Sequence, residues 1–126
     1  MPLQRPEYQA LWKEQTQKRQ RVFNQTGNKT LKPSQTGSLI TNLGAAGTVT
    51  ITLPPGARIG DTFDFAVLVA QELRIDPNTQ TINASAGQTA DKYITANAIG
   101  ESITVTYLGS DEWAVTGEVG TWTVEA

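Results

Sequence analysis

With 126 residues, the chain is sized for one domain around a modest hydrophobic core. It contains no cysteine and no histidine, which excludes disulfide staples, thiolate zinc sites, cysteine or histidine nucleophiles and a histidine general base. A net charge of −2 conceals an asymmetry: residues 1–32 hold seven Lys/Arg against two Asp/Glu (+5), whereas the remainder holds three against ten (−7), so a basic arm precedes an acidic body.

The opening Met-Pro-Leu-Gln-Arg-Pro-Glu has no apolar signal-peptide core, and no stretch is long enough to cross a bilayer. The expectation is a soluble protein with no export signal of its own and no membrane partner. Pro6 to Phe23 can form a helix, with Pro at its start, Glu7 in the first turn, Lys18, Arg19 and Arg21 near the end, and Glu14 to Lys18 as a favourable i, i+4 pair. Its apolar stripe is short. Tyr8, Leu11 and Trp12 share a face, but that face continues onto Gln15 and Arg19. A helix of this length is marginal in water without packing, so the arm is expected to be helical or extended and to order on a partner, the alternative being that it packs on its own body. Asn24 to Ser38 is polar, contains two Gly and a Pro, and reads as a linker. The division anticipated is a basic arm and linker over 1–36 and a β body over 37–126.

From Ser38 the pattern becomes strand-like. Ser38 to Leu43 is a short strand, Gly44 to Gly47 a turn, and Thr48 to Leu53 alternates Val49, Ile51 and Leu53 against Thr48, Thr50 and Thr52. Pro54-Pro55-Gly56 ends that strand. In Gly60 to Pro77, the residues Phe63, Phe65, Val67, Val69, Leu73 and Ile75 keep a period of two broken only by Gln71. This predicts one long strand, or two collinear halves joined by a bulge, bent rather than straight. Ala66, Leu68 and Ala70 make its first half apolar on both faces, to be covered by another sheet of the chain or by a neighbouring subunit. Val67, Leu68, Val69 and Ala70 are therefore the candidate intersubunit residues, because apolar character on both faces is hard to satisfy in a small sandwich.

Ile82 is the strong anchor of a loop or short edge strand, and Lys92 to Thr95 suggests another short strand. Glu101 to Tyr107 and Glu112 to Thr116 form a hairpin across Gly109-Ser110-Asp111, and Gly117 to Gly120 turns the chain into a last strand with Trp122 and Val124. About seven short strands with regularly spaced turn signals indicate an all-β, antiparallel sandwich or barrel-like body behind the N-terminal arm.

Three segments carry a further likeness: Gly37-Ser-Leu-Ile-Thr-Asn-Leu-Gly-Ala-Ala-Gly-Thr-Val-Thr-Ile-Thr-Leu-Pro54; Phe63 to Asn78, with its Ala-Gln-Glu-Leu-Arg-Ile-Asp-Pro; and Ile99-Gly-Glu-Ser-Ile-Thr-Val-Thr-Tyr107 with the following Asp-Glu-Trp-Ala-Val and Gly-Thr-Trp-Thr. Through them roughly three quarters of the chain resembles a β module of tailed-bacteriophage virion proteins, chiefly capsid decoration (head fibre, or cement) proteins and some tail fibre proteins. The resemblance implies a homotrimeric β protein without catalysis, attached to a capsid or built into a fibre. Decoration proteins of this kind sit outside the expanded head at threefold or quasi-threefold positions and reinforce it, which implies localisation on the virion after synthesis in the host cytoplasm. The short chain favours decoration over fibre. Residues 1–36 lie outside the resemblance; from their charge and aromatics, Tyr8, Leu11 and Trp12 are candidates for buried contact with the major capsid protein, with Lys18, Arg19 and Arg21 steering.

Other sites have weaker grounds. Asp61 and Asp64 differ by three along a strand and point to opposite faces, Asp111 and Glu112 sit at a hairpin tip, and Asp76 precedes Pro77-Asn78, so no catalytic, cofactor or metal site is expected. Trp113, Trp122 and Tyr107 would suit a glycan platform in a fibre-type module, served by loops such as Gly44 to Gly47 or Ala84 to Asp91, but by strand parity they face a core. The basic arm with Tyr8, Trp12 and Phe23 would suit nucleic acid, yet the acidic body repels a phosphate backbone and an acidic protein shell serves the arm equally well.

Overall fold

The computed structural model describes residues 19–84 and 87–126. Its strands, in chain order, are β1 (Val22–Asn24), β2 (Lys29–Thr30), β3 (Leu39–Thr41), β4 (Val49–Thr52), β5 (Thr62–Ala66), β6 (Leu73–Asp76), β7 (Thr81–Ala84), β8 (Gly87–Ala90), β9 (Ile94–Ala96), β10 (Ser102–Gly109), β11 (Glu112–Val119) and β12 (Thr123–Val124), with a 3-10 turn at Pro33–Gln35. A seven-stranded sheet in the order β1-β3-β5-β10-β11-β7-β8 packs on a five-stranded sheet in the order β12-β9-β6-β4-β2. The body is thus the all-β sandwich expected.

Both sheets are mixed rather than purely antiparallel. Up to β7 the chain alternates between sheets, odd strands entering the larger and even strands the smaller. Each sheet is revisited only after a circuit of the core, so β1, β3 and β5 run parallel, as do β2, β4 and β6. Parallel neighbours need a crossover, and here the strand of the opposite sheet supplies it. The later part is mostly antiparallel, in the pairs β7–β8, β5–β10, β10–β11, β6–β9 and β9–β12. The β10–β11 connection is the two-residue turn Ser110-Asp111, with φ of 53° and 60°, the double left-handed geometry of a type I′ hairpin.

Two expectations need correction. The stretch from Gly60 to Pro77 is neither one strand nor two collinear halves: β5 lies in the larger sheet and β6 in the smaller, and residues 67–72 carry the chain across. The period of two survives because both sheets face one core, where Phe63, Phe65 and Val67 meet Leu73 and Ile75, all fully buried. The polar run from Asn24 to Ser38 is not a linker either. β2 pairs with β4 and Leu31 enters the core at 2% exposure. A single apolar residue between Thr30 and Lys32 gives no periodic signal, which is why the run read as unstructured. Of the arm segment from Pro6 to Phe23, residues 6–18 lie outside the described residues, and Val22–Phe23 is strand rather than helix.

Candidate interaction site

The three aromatics that would suit a glycan platform, Tyr107, Trp113 and Trp122, are committed to the core. Trp113 is fully buried, with the Phe63 and Tyr107 rings at centroid distances of 6.1 and 5.0 Å. Its indole Nε1 donates to Gln80 Oε1 at 2.8 Å, and the Trp122 indole donates to the Ser102 carbonyl at 3.0 Å, so each buried N–H is satisfied. Gln80, itself buried, has no signature in the sequence that would single it out.

The carboxylates are held locally. Asp76 Oδ1 accepts from the Asn78 amide at 2.8 Å as in an Asx turn, and Asp61 Oδ2 accepts from the Arg58 amide at 2.8 Å. Glu101 is clamped between loops: Oε2 accepts from the Thr121 amide at 2.7 Å and Oε1 from the Ala98 amide at 2.9 Å. Those amides, Thr121 first, hold its carboxyl below the ordinary carboxylate range. Glu72, Thr95, Ala96, Asn97, Glu101, Thr121 and Thr123 line a cleft of about 310 Å³. Its second carboxylate, Glu72, is engaged by Arg74 at 2.9 Å, and that guanidinium hydrogen bond also holds its carboxyl low. Neither group is poised to shuttle a proton near neutral pH. Among the described residues no group of three or more Asp, Glu, His or Cys is placed to hold a metal ion, and no helix is long and apolar enough to cross a membrane.

The candidate intersubunit residues separate. Val67 is 0% exposed, inside its own chain's core, and offers no surface to a partner; Leu68 is 40% exposed, Val69 half-buried and Ala70 exposed. Asn42, fully buried, holds this crossing segment. Its Oδ1 accepts from the Leu68 and Val69 amides at 2.8 and 3.2 Å, and its Nδ2 donates to the Val69 and Gln71 carbonyls at 3.2 and 3.0 Å. One side chain therefore satisfies four backbone groups where the chain leaves one sheet for the other.

Of the candidate capsid-contact residues, Tyr8, Leu11, Trp12 and Lys18 lie outside the described residues. Arg19 is exposed. Arg21, also exposed, donates from Nη2 to the Ser34 and Thr36 carbonyls at 2.8 and 3.2 Å, while Gln20 Nε2 donates to Asp64 Oδ2 at 2.5 Å. Residues 20 and 21, just ahead of β1, are thus fixed to the sandwich at the β1 margin of the larger sheet.

The two outer faces differ. On the smaller sheet, Arg74 lies 4.5 Å above the Tyr93 ring and pairs with Glu72, with Asp76 on the same strand face. On the larger sheet, hydroxyls dominate: Thr104 Oγ1 donates to Asp64 Oδ1 at 2.6 Å, and Thr106 Oγ1 lies 3.3 Å from the Thr62 hydroxyl and 3.2 Å from that of Thr116. Ala66, Ser102 and Val119 continue that face in register. No protein-family model matches the chain, and no curated protein matches it.

Proposed function

We propose that the chain is a non-enzymatic structural protein of a phage virion, which binds the outside of the capsid as a homotrimer and reinforces it. The observation that carries the reading is the division of charge, +5 over residues 1–32 against −7 over the rest, with the basic segment rooted on the sandwich through Gln20 and Arg21. A rigid body with a basic arm of fixed origin suits attachment to an acidic protein shell. The likeness of the body to decoration modules supports the same reading, as does the commitment of Glu101 and Glu72 to amide and guanidinium partners. The glycan alternative finds less support, since Tyr107, Trp113 and Trp122 all lie in the core.

Sedimentation with expanded, undecorated capsids tests the reading. The full chain is expected to co-sediment at saturable stoichiometry, and a chain lacking residues 1–18, which keeps β1 intact, to remain in the supernatant. Equal binding by the shortened chain would remove the anchoring role of the arm. Failure of the full chain to bind would remove decoration itself.

A further inference from the structure

We propose that an acidic segment of a protein partner docks on one corner of the folded sandwich, seating a carboxylate between Arg21 and Arg58. This rests on the reading of an acidic protein partner above and places the charged contact on the body rather than on the arm. The positive charge is mostly folded. Of the +5 over residues 1–32, residues 1–18 hold +1 and residues 19–32 hold +4, as Arg19, Arg21, Lys29 and Lys32 with no Asp or Glu. All four are exposed, and they lie on or beside β1 and β2, the marginal strands of the two sheets. Residues 25–28 join those strands directly, so the two margins form a single edge of the sandwich. The acidic body does not neutralise these cations: among the described residues the one ion pair is Arg74 with Glu72, on the smaller sheet.

A preformed pocket marks the corner. Pro33, Ser34, Thr36, Gly56, Arg58 and Asp61 line a cavity of about 410 Å³ where the 3-10 turn meets the loop between β4 and β5. Its walls are tied down. The Lys32 amide donates to Gln35 Oε1 at 2.8 Å, the Thr62 amide to Thr36 Oγ1 at 3.0 Å and the Gly37 amide to the Thr62 carbonyl at 2.7 Å, so binding has little left to order. Arg21 reaches the same wall through its Nη2 bonds to the Ser34 and Thr36 carbonyls, and its other guanidinium N–H groups have no partner among the described residues. Asp61 is the pocket's own carboxylate, but its Oδ2 accepts from the Arg58 amide and not from the guanidinium. Two planar N–H forks beside one cavity suit a carboxylate, which either can grip at both oxygens. A nucleic acid fits less well, because no aromatic ring lines the pocket for a base to stack on, and Asp61 and the net −7 of residues 33–126 oppose a continuous phosphate chain.

Fluorescence anisotropy of a labelled octaglutamate peptide, titrated with the full chain, tests this. Saturable binding is expected, with Arg58→Glu and Lys32→Glu each weakening it about tenfold. Lys92→Glu makes the same change in net charge beyond β8, at the opposite margin of the larger sheet, and should bind as the parent does. Arg58 and Lys32 are exposed, so circular dichroism and melting should match the parent. Equal weakening by all three substitutions overturns the location, since binding then follows net charge alone. No binding of the peptide overturns the inference, while decoration, read from sedimentation with capsids, stands or falls separately. Peptide binding that obeys the substitutions in a chain that ignores capsids supports the corner and removes the shell as its partner. Tighter binding of a labelled oligothymidylate, weakened by the same two substitutions, assigns the corner to nucleic acid and overturns the acidic segment.

Discussion

The two outer faces of this sandwich stand on the same inward alternation and differ in what they show to water. Beneath both, Phe65, Ile103, Ile51 and Ile75 are fully or almost fully buried, and either sheet would fit the same core. Above it, one sheet presents linked hydroxyls and small side chains, the other an Arg74–Glu72 pair under which Tyr93 lies. The difference teaches that the core decides the fold while the outer positions, free of packing constraint, carry whatever specificity the protein has.

Perturbing what the faces share should have the largest effect. Phe65→Ala opens the common core and is expected to cost about 3–5 kcal/mol, measured by urea denaturation, with both faces lost in one cooperative step. Asn42→Ala strands four backbone groups at the crossing between sheets and should cost about 1–3 kcal/mol or more. Hydrogen exchange should then quicken at the Leu68 and Val69 amides before it does in β10, separating the junction from the sheets. Gly120→Ala comes next. Gly120 has φ of +85° and a methyl there would fall 2.4 Å from Glu101 Cγ, so the Glu101 clamp must move, at about 1–3 kcal/mol.

Smaller effects distinguish one side of the molecule from the other. Glu101 and Glu72 have carboxyls held below the ordinary value of 4.5, so their contribution to stability is complete above the unfolded range and is lost as pH falls through the lower folded values. The parent should therefore lose more stability than Glu101→Gln on titration from neutral pH into that acid range, as read from melting temperature against pH. The smallest change belongs to Glu72→Gln, which breaks a solvent-facing pair and should cost less than about 1 kcal/mol, with less effect still in high salt.

Much of this was legible in the chain. Val49, Ile51 and Leu53 alternate with threonines and do form a strand, and the hairpin from Glu101 to Thr116 forms where its turn residues place it. What was not legible depends on long-range placement. Parity cannot tell a strand that continues from one that crosses between sheets around a single core, so β5 and β6 read as one element. Parallel pairing of β1, β3 and β5 leaves no local mark, and neither does Leu31 in its polar setting. Asn42 looks like an ordinary turn asparagine until its four partners, 26 to 29 residues away, are seen. On the surface, the sequence singled out the apolar run at Val67–Ala70, but the chain's own core covers Val67, and the contrast between outer faces emerges only once register sets Thr62, Thr104 and Thr106 side by side.

The most direct test of the account is the copy number of this chain relative to the major capsid subunit in purified virions, by quantitative mass spectrometry. Decoration by trimers predicts a ratio near a simple whole-number fraction of the shell subunits. A few copies per particle would contradict it and place the chain in a fibre or tail instead.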